Sequence, residues 1–225
     1  MKNFHAVLFD IDDTLIDFEK SQSLSLKDCY EKYFSKATDY DSFHFDFAAI
    51  NADLWHQVES HVLCPSQIGK MRFDQITSLY EMPPNPEISP FYENELVKNS
   101  DWTDGAKELL GRLKEQGVKI GFVTNGFAHV QKQKSEKFAL HEYSDILVIS
   151  EEVGFSKPHP KIFEHTKALI NEEFAHTLMV GDRITSDGIG AKNIGMPFCW
   201  YNPKGLQPPE GFEPEMTIDS FKALF

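Results

Sequence analysis

Asp10 and Asp12 stand two residues apart where the apolar run Ala6-Val7-Leu8-Phe9 ends. Residues i and i+2 of an extended segment point to the same side, so both carboxylates can face one substrate atom. Two carboxylates held close titrate apart, which suits one as nucleophile and the other as acid/base. A pair of solvated turn aspartates fits the same few residues, and only the rest of the chain separates the two readings.

Three further polar groups occupy the same kind of position. Thr124-Asn125-Gly126 follows the apolar run Val118–Val123, and Lys157 lies in the loop after Ile146–Ile149. Gly181-Asp182 follows Leu178–Val180, with Asp187 five residues beyond Asp182. In open parallel sheets the ligand crevice lies past the carboxyl ends of the strands, so all four groups are expected to converge. Asp10, Asp182 and Asp187 supply hard oxygens, the donors that magnesium takes alongside substrate phosphate. Lys157 adds a cation able to hold nucleophile and phosphate together. The Thr124 hydroxyl and the turn amides of Asn125 and Gly126 can donate to phosphoryl oxygens. Such a set suits phosphoryl transfer, where positioning and charge stabilisation dominate.

The elements needed to position these residues are legible from residue 100 onward, where helix and strand alternate. Ala106, Leu109, Leu110 and Leu113 recur at helical spacing and Gly117 ends that helix. Val118–Val123 reads as a strand, Val130–Leu140 as a helix, Ile146–Ile149 as a strand, and Ile162 to Ile170 as a helix begun by Pro158 and Pro160. Leu178–Val180 and Phe198–Trp200 are strands flanking a helix from Ile184 to Ile194, and a final strand and helix follow the loop 202–214. The fold class is therefore α/β, a parallel sheet covered on both faces. Residues 16 to 96 break the alternation with three helical patterns, around Leu26–Phe34, Phe43–Val58 and Ile68–Leu79, which Pro83, Pro84 and Pro86 bring to an end. The expected organisation is a core of residues 1–15 and 97–225 with a helical insertion at 16–96.

Charge narrows the partners. With 22 basic and 35 acidic residues, the net charge of −13 disfavours nucleic-acid polymers and anionic membranes. It also repels a phosphorylated metabolite unless a local cation reverses the field. Cys29, Cys64 and Cys199 are too few and too scattered for a disulfide framework or a zinc pattern. None of the nine histidines stands at a metal-ligand spacing. The stretch before Asp10 is too short for a signal peptide and no apolar run reaches membrane-spanning length, so a cytoplasmic chain is expected.

Taken in order, Asp10-Ile11-Asp12-Asp13-Thr14, Thr124-Asn125-Gly126, Lys157-Pro158 and Gly181-Asp182 with Asp187 resemble the four motifs of the haloacid dehalogenase superfamily, over essentially the whole chain. The resemblance implies a Rossmann-like catalytic core, a helical cap inserted after the first strand, and a magnesium-dependent phosphatase. It implies Asp10 as nucleophile and Asp12 as the acid that protonates the leaving oxygen and then the base that activates water. Asp10, the main-chain carbonyl of Asp12, and Asp182 would hold Mg2+, with Asp187 supporting that shell. Thr124 and Asn125 would bind phosphate and Lys157 would bridge.

A narrower resemblance is to the 5′-nucleotidases of that family. It rests on Thr124-Asn125-Gly126-Phe127, Val148 to Gly154, Lys157-Pro158 to Phe163, Cys199-Trp200 with Asn202, and Asn51 to Trp55. It implies hydrolysis of a nucleoside monophosphate, with phosphosugar or phosphoglycolate hydrolysis as the alternative, since the core chemistry is common and the cap decides. A phosphosugar mutase could use the same two aspartates. A silent binder of phospho-ligands is disfavoured because every catalytic group is retained. Oligomeric state is not legible. Trp55, Phe18, Phe45 and Phe47 sit at helical spacing, which favours core packing over base stacking. Arg72 is expected to reach either a substrate or the surface.

Overall fold

The computed structural model describes residues 4–60 and 62–224. The chain divides into two compact units, one running up to Asp17 and resuming at Asp101, the other Phe18–Ser100.

The first unit is built on six parallel strands: β1 (Ala6–Phe9), β2 (Lys119–Thr124), β3 (Leu147–Ile149), β4 (Thr177–Gly181), β5 (Phe198–Tyr201) and β6 (Met216–Ile218). Their order across the sheet is β3-β2-β1-β4-β5-β6, so β1 is central and the order turns between β1 and β4. Strand side chains alternate between faces. Val7 and Phe9 join Phe122, Leu178 and Val180 in one apolar cluster with Leu109, Leu110 and Leu113. Ala6 and Leu8 join Val123, Met179 and Trp200 in the other, with Ile162 and Phe163. Each fully buried side chain of this size contributes about 1.5–3 kcal/mol, so shifting β1 by one residue would sacrifice both layers. This is the α/β parallel sheet read from the alternation of elements, and the Rossmann-like core that the family resemblance implies.

Among the described residues of the second unit, α-helices and a π-helical turn at Tyr30–Phe34 surround an aromatic core. The α-helices are α1 (Phe18–Cys29), α2 (Tyr40–Glu59), α3 (Pro65–Leu79) and α4 (Ile88–Lys98), and the interior holds Leu26, Phe34, Phe43, Phe47, Phe73, Ile76, Tyr92 and Leu96. Asp39 caps α2 by accepting from the Ser42 N–H at 2.9 Å. Helix α4 corrects the expectation that helical structure stops at the prolines near residue 84. Pro90 falls in its first turn, where the missing N–H has no intrahelical acceptor to lose.

The helices α5 (Ala106–Glu115), α6 (Ala128–Lys137), α7 (Ser150–Val153), α8 (Pro160–Ile170) and α9 (Ile189–Asn193) belong to the first unit. Helix α8 starts with His159 accepting from the Lys161 N–H and Pro160 as its first residue, and it ends on Asn171 at φ 50°. The final helix expected after β6 is a single 3-10 turn, Phe221–Leu224. No helix among the described residues is long and apolar enough to cross a membrane.

Candidate active site

Strand β1 pairs Phe9 with Phe122 and with Val180, which leaves Asp10 at the carboxyl end of the central strand where the strand order turns. The Asp10 N–H still donates to the Val180 carbonyl at 2.9 Å, so the main chain is fixed up to the residue whose side chain leaves the sheet. Lys157 Nζ lies 2.6 Å from Asp10 Oδ1, 2.8 Å from the Val123 carbonyl and 2.7 Å from Asp187 Oδ1. Two of its N–H bonds are thus accepted by Asp10 and Val123, and Asp187 adds a second counter-charge, as burial of an ammonium demands. Asn125 fixes the backbone of Lys157 from both sides: Asn125 Nδ2 donates to the Lys157 carbonyl and the Lys157 N–H donates to Asn125 Oδ1, each at 2.8 Å.

Asp182 follows β4 directly. Its N–H donates to Thr14 Oγ1 at 3.1 Å, and Trp200 Nε1 donates to its carbonyl at 2.8 Å. Asp187 is fully buried, with Oδ2 accepting from the Arg183 N–H at 3.3 Å. A Cβ at Gly181 would sit 2.4 Å from that same Oδ2, so the close approach of strand end and carboxylate requires glycine here. One oxygen each from Asp10, Asp182 and Asp187 can be chosen so that all lie within 4.8 Å of one another.

Three carboxylates share this crevice with one ammonium, and their titration shows the imbalance. Burial pushes Asp10 up to about 7 against the pull of Lys157, and Asp187 adds to the rise. Burial again, then Asp10 and Asp187, pushes Asp182 up to about 8. For Lys157, burial favours the neutral form, but Asp10 and Asp187 outweigh it and the ammonium is held above its usual range. The uncompensated negative charge and the all-oxygen donor set fit a hard divalent cation.

Asp12 faces other partners. Gln131 Nε2 donates to Asp12 Oδ2 at 2.8 Å and Lys134 Nζ donates to Asp12 Oδ1 at 2.5 Å. Asp13 turns the chain at φ 58°, closing the loop with its N–H on the Ile16 carbonyl at 2.8 Å. A Cβ at Gly126 would meet Gln131 Nε2 at 2.1 Å, so this glycine makes room for the side chain that holds Asp12. Thr124 is buried, and its Oγ1 accepts from the Gly126 N–H at 3.2 Å. Glu151 accepts from the Ala128 N–H at 2.7 Å, placing an anion at the start of α6.

Asp10, Lys157, Asp182 and Asp187 are therefore brought together directly, with Asn125 acting on Lys157 and Asp12 held from α6. Sequence reasoning missed Thr14, Gln131 and Lys134. A signal for the last two existed: Gln131 and Lys134 share a helical spacing with Phe127 and Phe138, which flank α6, and all four are buried. Two polar residues in a buried stripe must find polar partners.

Within the helical unit, Arg72 is neither at the surface nor on an open face. It is buried, with its guanidinium carbon 4.7–5.3 Å from the ring centroids of Tyr92, Phe73 and Phe47, and its Nη1 donates to Asn51 Oδ1 at 2.9 Å. Phe47 is core, whereas Phe45 is exposed, and Phe18 and Trp55 are half-buried. Arg183 is exposed beyond Asp182.

Comparison with known proteins agrees with this arrangement. The haloacid dehalogenase-like hydrolase family profile matches residues 4–195. The chain belongs to this family. It is 32% identical to the pyrimidine 5′-nucleotidase YjjG of Escherichia coli, over 97% of this chain and 95% of that protein. It is 30% identical to a glyceraldehyde 3-phosphate phosphatase of Pyrococcus abyssi, over 87% of this chain and 80% of that protein. The crystal structure of the HAD-hydrolase YfnB from Bacillus subtilis, bound to magnesium, superposes with a TM-score of 0.86 at 26% identity, covering 99% of this chain and 97% of that one. The protein is a phosphoric monoester hydrolase of the haloacid dehalogenase family, and its substrates are phosphate esters.

Proposed function

We propose that the protein is a magnesium-dependent 5′-nucleotidase that hydrolyses nucleoside monophosphates through an aspartyl-phosphate on Asp10. The nucleotidase reading is carried by the likeness to a pyrimidine 5′-nucleotidase along nearly the full length of both chains. The chemistry is supported by a carboxylate, Asp10, held at 2.6 Å by a buried ammonium at the turning point of the sheet.

Asp10, Asp182 and the main-chain carbonyl of Asp12 would hold Mg2+, with Asp187 bracing the shell through Lys157. When bound there, the cation supplies the positive charge that lets an anionic carboxylate meet an anionic phosphate. An Asp10 oxygen attacks phosphorus, the ester P–O bond breaks, and Asp12 gives its proton to the leaving oxygen. Asp12, now a carboxylate, takes a proton from water as that water attacks phosphorus. The bond to Asp10 breaks and inorganic phosphate leaves. Lys157 would hold Asp10 in line and share the phosphoryl charge, while the Thr124 hydroxyl and the main-chain N–H of Asn125 would bind the phosphoryl oxygens.

A second reading, hydrolysis of a phosphorylated triose, is favoured by the 30% identity to a glyceraldehyde 3-phosphate phosphatase. Steady-state kcat/KM with uridine, thymidine and adenosine 5′-monophosphates, glyceraldehyde 3-phosphate and phosphoglycolate separates the two. A pyrimidine monophosphate is expected to lead by about tenfold or more, the scale that pocket contacts to a substrate supply. A triose phosphate equal to or better than every nucleotide would transfer the assignment to the second reading.

A further inference from the structure

At the amino ends of β1 and β4 lies a second group of metal-ligating side chains, made of His5, Glu172 and His176. No local spacing announces it, because the sheet assembles it from distant segments. Ala6 pairs with Thr177, and the His5 N–H donates to the His176 carbonyl at 2.9 Å, so the two histidines are neighbours across adjacent parallel strands. Their rings stand 4.9 Å apart at 44°. Glu172, in the turn between α8 and β4, brings Oε2 to 3.4 Å from His5 Nδ1. One donor atom from each of the three lies within 4.8 Å of the other two.

The carboxylate is held in place by its neighbours. Lys119 Nζ donates to Glu172 Oε1 at 3.0 Å and to the Asn171 carbonyl at 2.9 Å, which leaves Oε2 toward the imidazoles. An anionic, pre-oriented oxygen beside two imidazoles is a ligand set with its supporting contact already made. Five residues of extended chain separate His5 from Asp10, about 16 Å, so this group stands at the end of the sheet away from the catalytic carboxylates.

The structure assigns to His5, Glu172 and His176 a second metal site, for a borderline transition ion of the zinc class. Two imidazole nitrogens and one carboxylate are the donors such ions take, with water completing a tetrahedron. The Asp10 cluster offers only hard oxygens, so the two sites differ in the metal they prefer.

Equilibrium dialysis of the full-length protein against Zn2+, with Mg2+ in large excess, tests this. Wild type is expected to retain one more zinc equivalent than the His5→Asn/His176→Asn variant. Glu172→Gln is expected to weaken that equivalent by about 10-fold or more. Co2+ in place of zinc is expected to give the visible d–d bands of a near-tetrahedral ion in wild type only. Magnesium-dependent phosphatase activity should be equal in all three proteins, which also reports that each is folded. Equal zinc stoichiometry and affinity in wild type and double variant, or retention of the cobalt bands after both histidines are replaced, would overturn the assignment.

Discussion

Lys134 Nζ donates to Asp12 Oδ1 across 2.5 Å, although 122 positions separate the two residues in the chain. With Gln131 on the other oxygen, both acceptors of Asp12 are held from one face of α6. The proposed acid/base is thus oriented by a helix that carries none of the four motifs.

Lys134→Met is expected to lower kcat on alkyl phosphate esters by about 10- to 100-fold, at or below the lower end of the roughly 10²–10⁴-fold that a general acid–base group supplies. The loss should shrink when phosphorylation of Asp10 is followed with an aryl phosphate, whose leaving oxygen needs no proton. KM should change little, and Lys134→Arg should recover part of the rate. A folded Lys134→Met protein with wild-type kcat on alkyl esters would show that Asp12 needs no such support.

The crowded carboxylates set the pH dependence of the metal-free protein. Asp10 titrates near 7 and Asp182 near 8, against an ordinary 3.8. Between these values the native chain keeps protons that the unfolded chain has released, so stability falls as pH rises through this window. In chelator, Tm is expected to decline from about pH 5 to about pH 8. Magnesium should raise Tm most at the upper end, where the ligands are deprotonated. Asp182→Asn should flatten the decline. A chelated Tm profile identical in wild type and Asp182→Asn would contradict the buried, crowded carboxylates as its source.

Arg72 is expected to matter for stability rather than for substrate choice. Its guanidinium lies among Phe47, Phe73 and Tyr92 and bonds Asn51, so truncation removes packing and a buried hydrogen bond together. Arg72→Ala should cost roughly 2–5 kcal/mol in urea unfolding, the scale of large-to-small changes in a packed interior. Arg72→Lys should restore little of it, because an ammonium cannot stack as the planar group does. A loss within about 0.5 kcal/mol, the range of ordinary surface substitutions, would place Arg72 outside the core contacts.

The sheet and the four motifs were legible because each is a local pattern. Apolar runs of a few residues end on Asp10, Thr124 and Asp182, and the parallel topology then requires their convergence. What escaped was non-local. The helical spacing of Gln131 and Lys134 with Phe127 and Phe138 hints at burial, but nothing local names Asp12 as the partner that they hold. His5 and His176 lie 171 positions apart, and only the pairing of β1 with β4 makes them neighbours. Helix α4 was hidden by prolines that read as breakers, although Pro90 falls where a helix tolerates one. Arg72 carries a charge that suggests the surface, and its aromatic surroundings together with the Asn51 hydrogen bond help make burial tolerable.

The most direct test of the proposed chemistry is to trap the covalent intermediate. Asp12→Asn protein, unable to activate water efficiently, is mixed with Mg2+ and an aryl phosphate, quenched in acid, digested and mapped by mass spectrometry. A phosphoryl group on Asp10 is expected, absent when Asp10→Asn is added to the same protein. Near-normal phosphate release by folded Asp10→Asn, or phosphorylation mapped to another residue, would contradict Asp10 as the nucleophile.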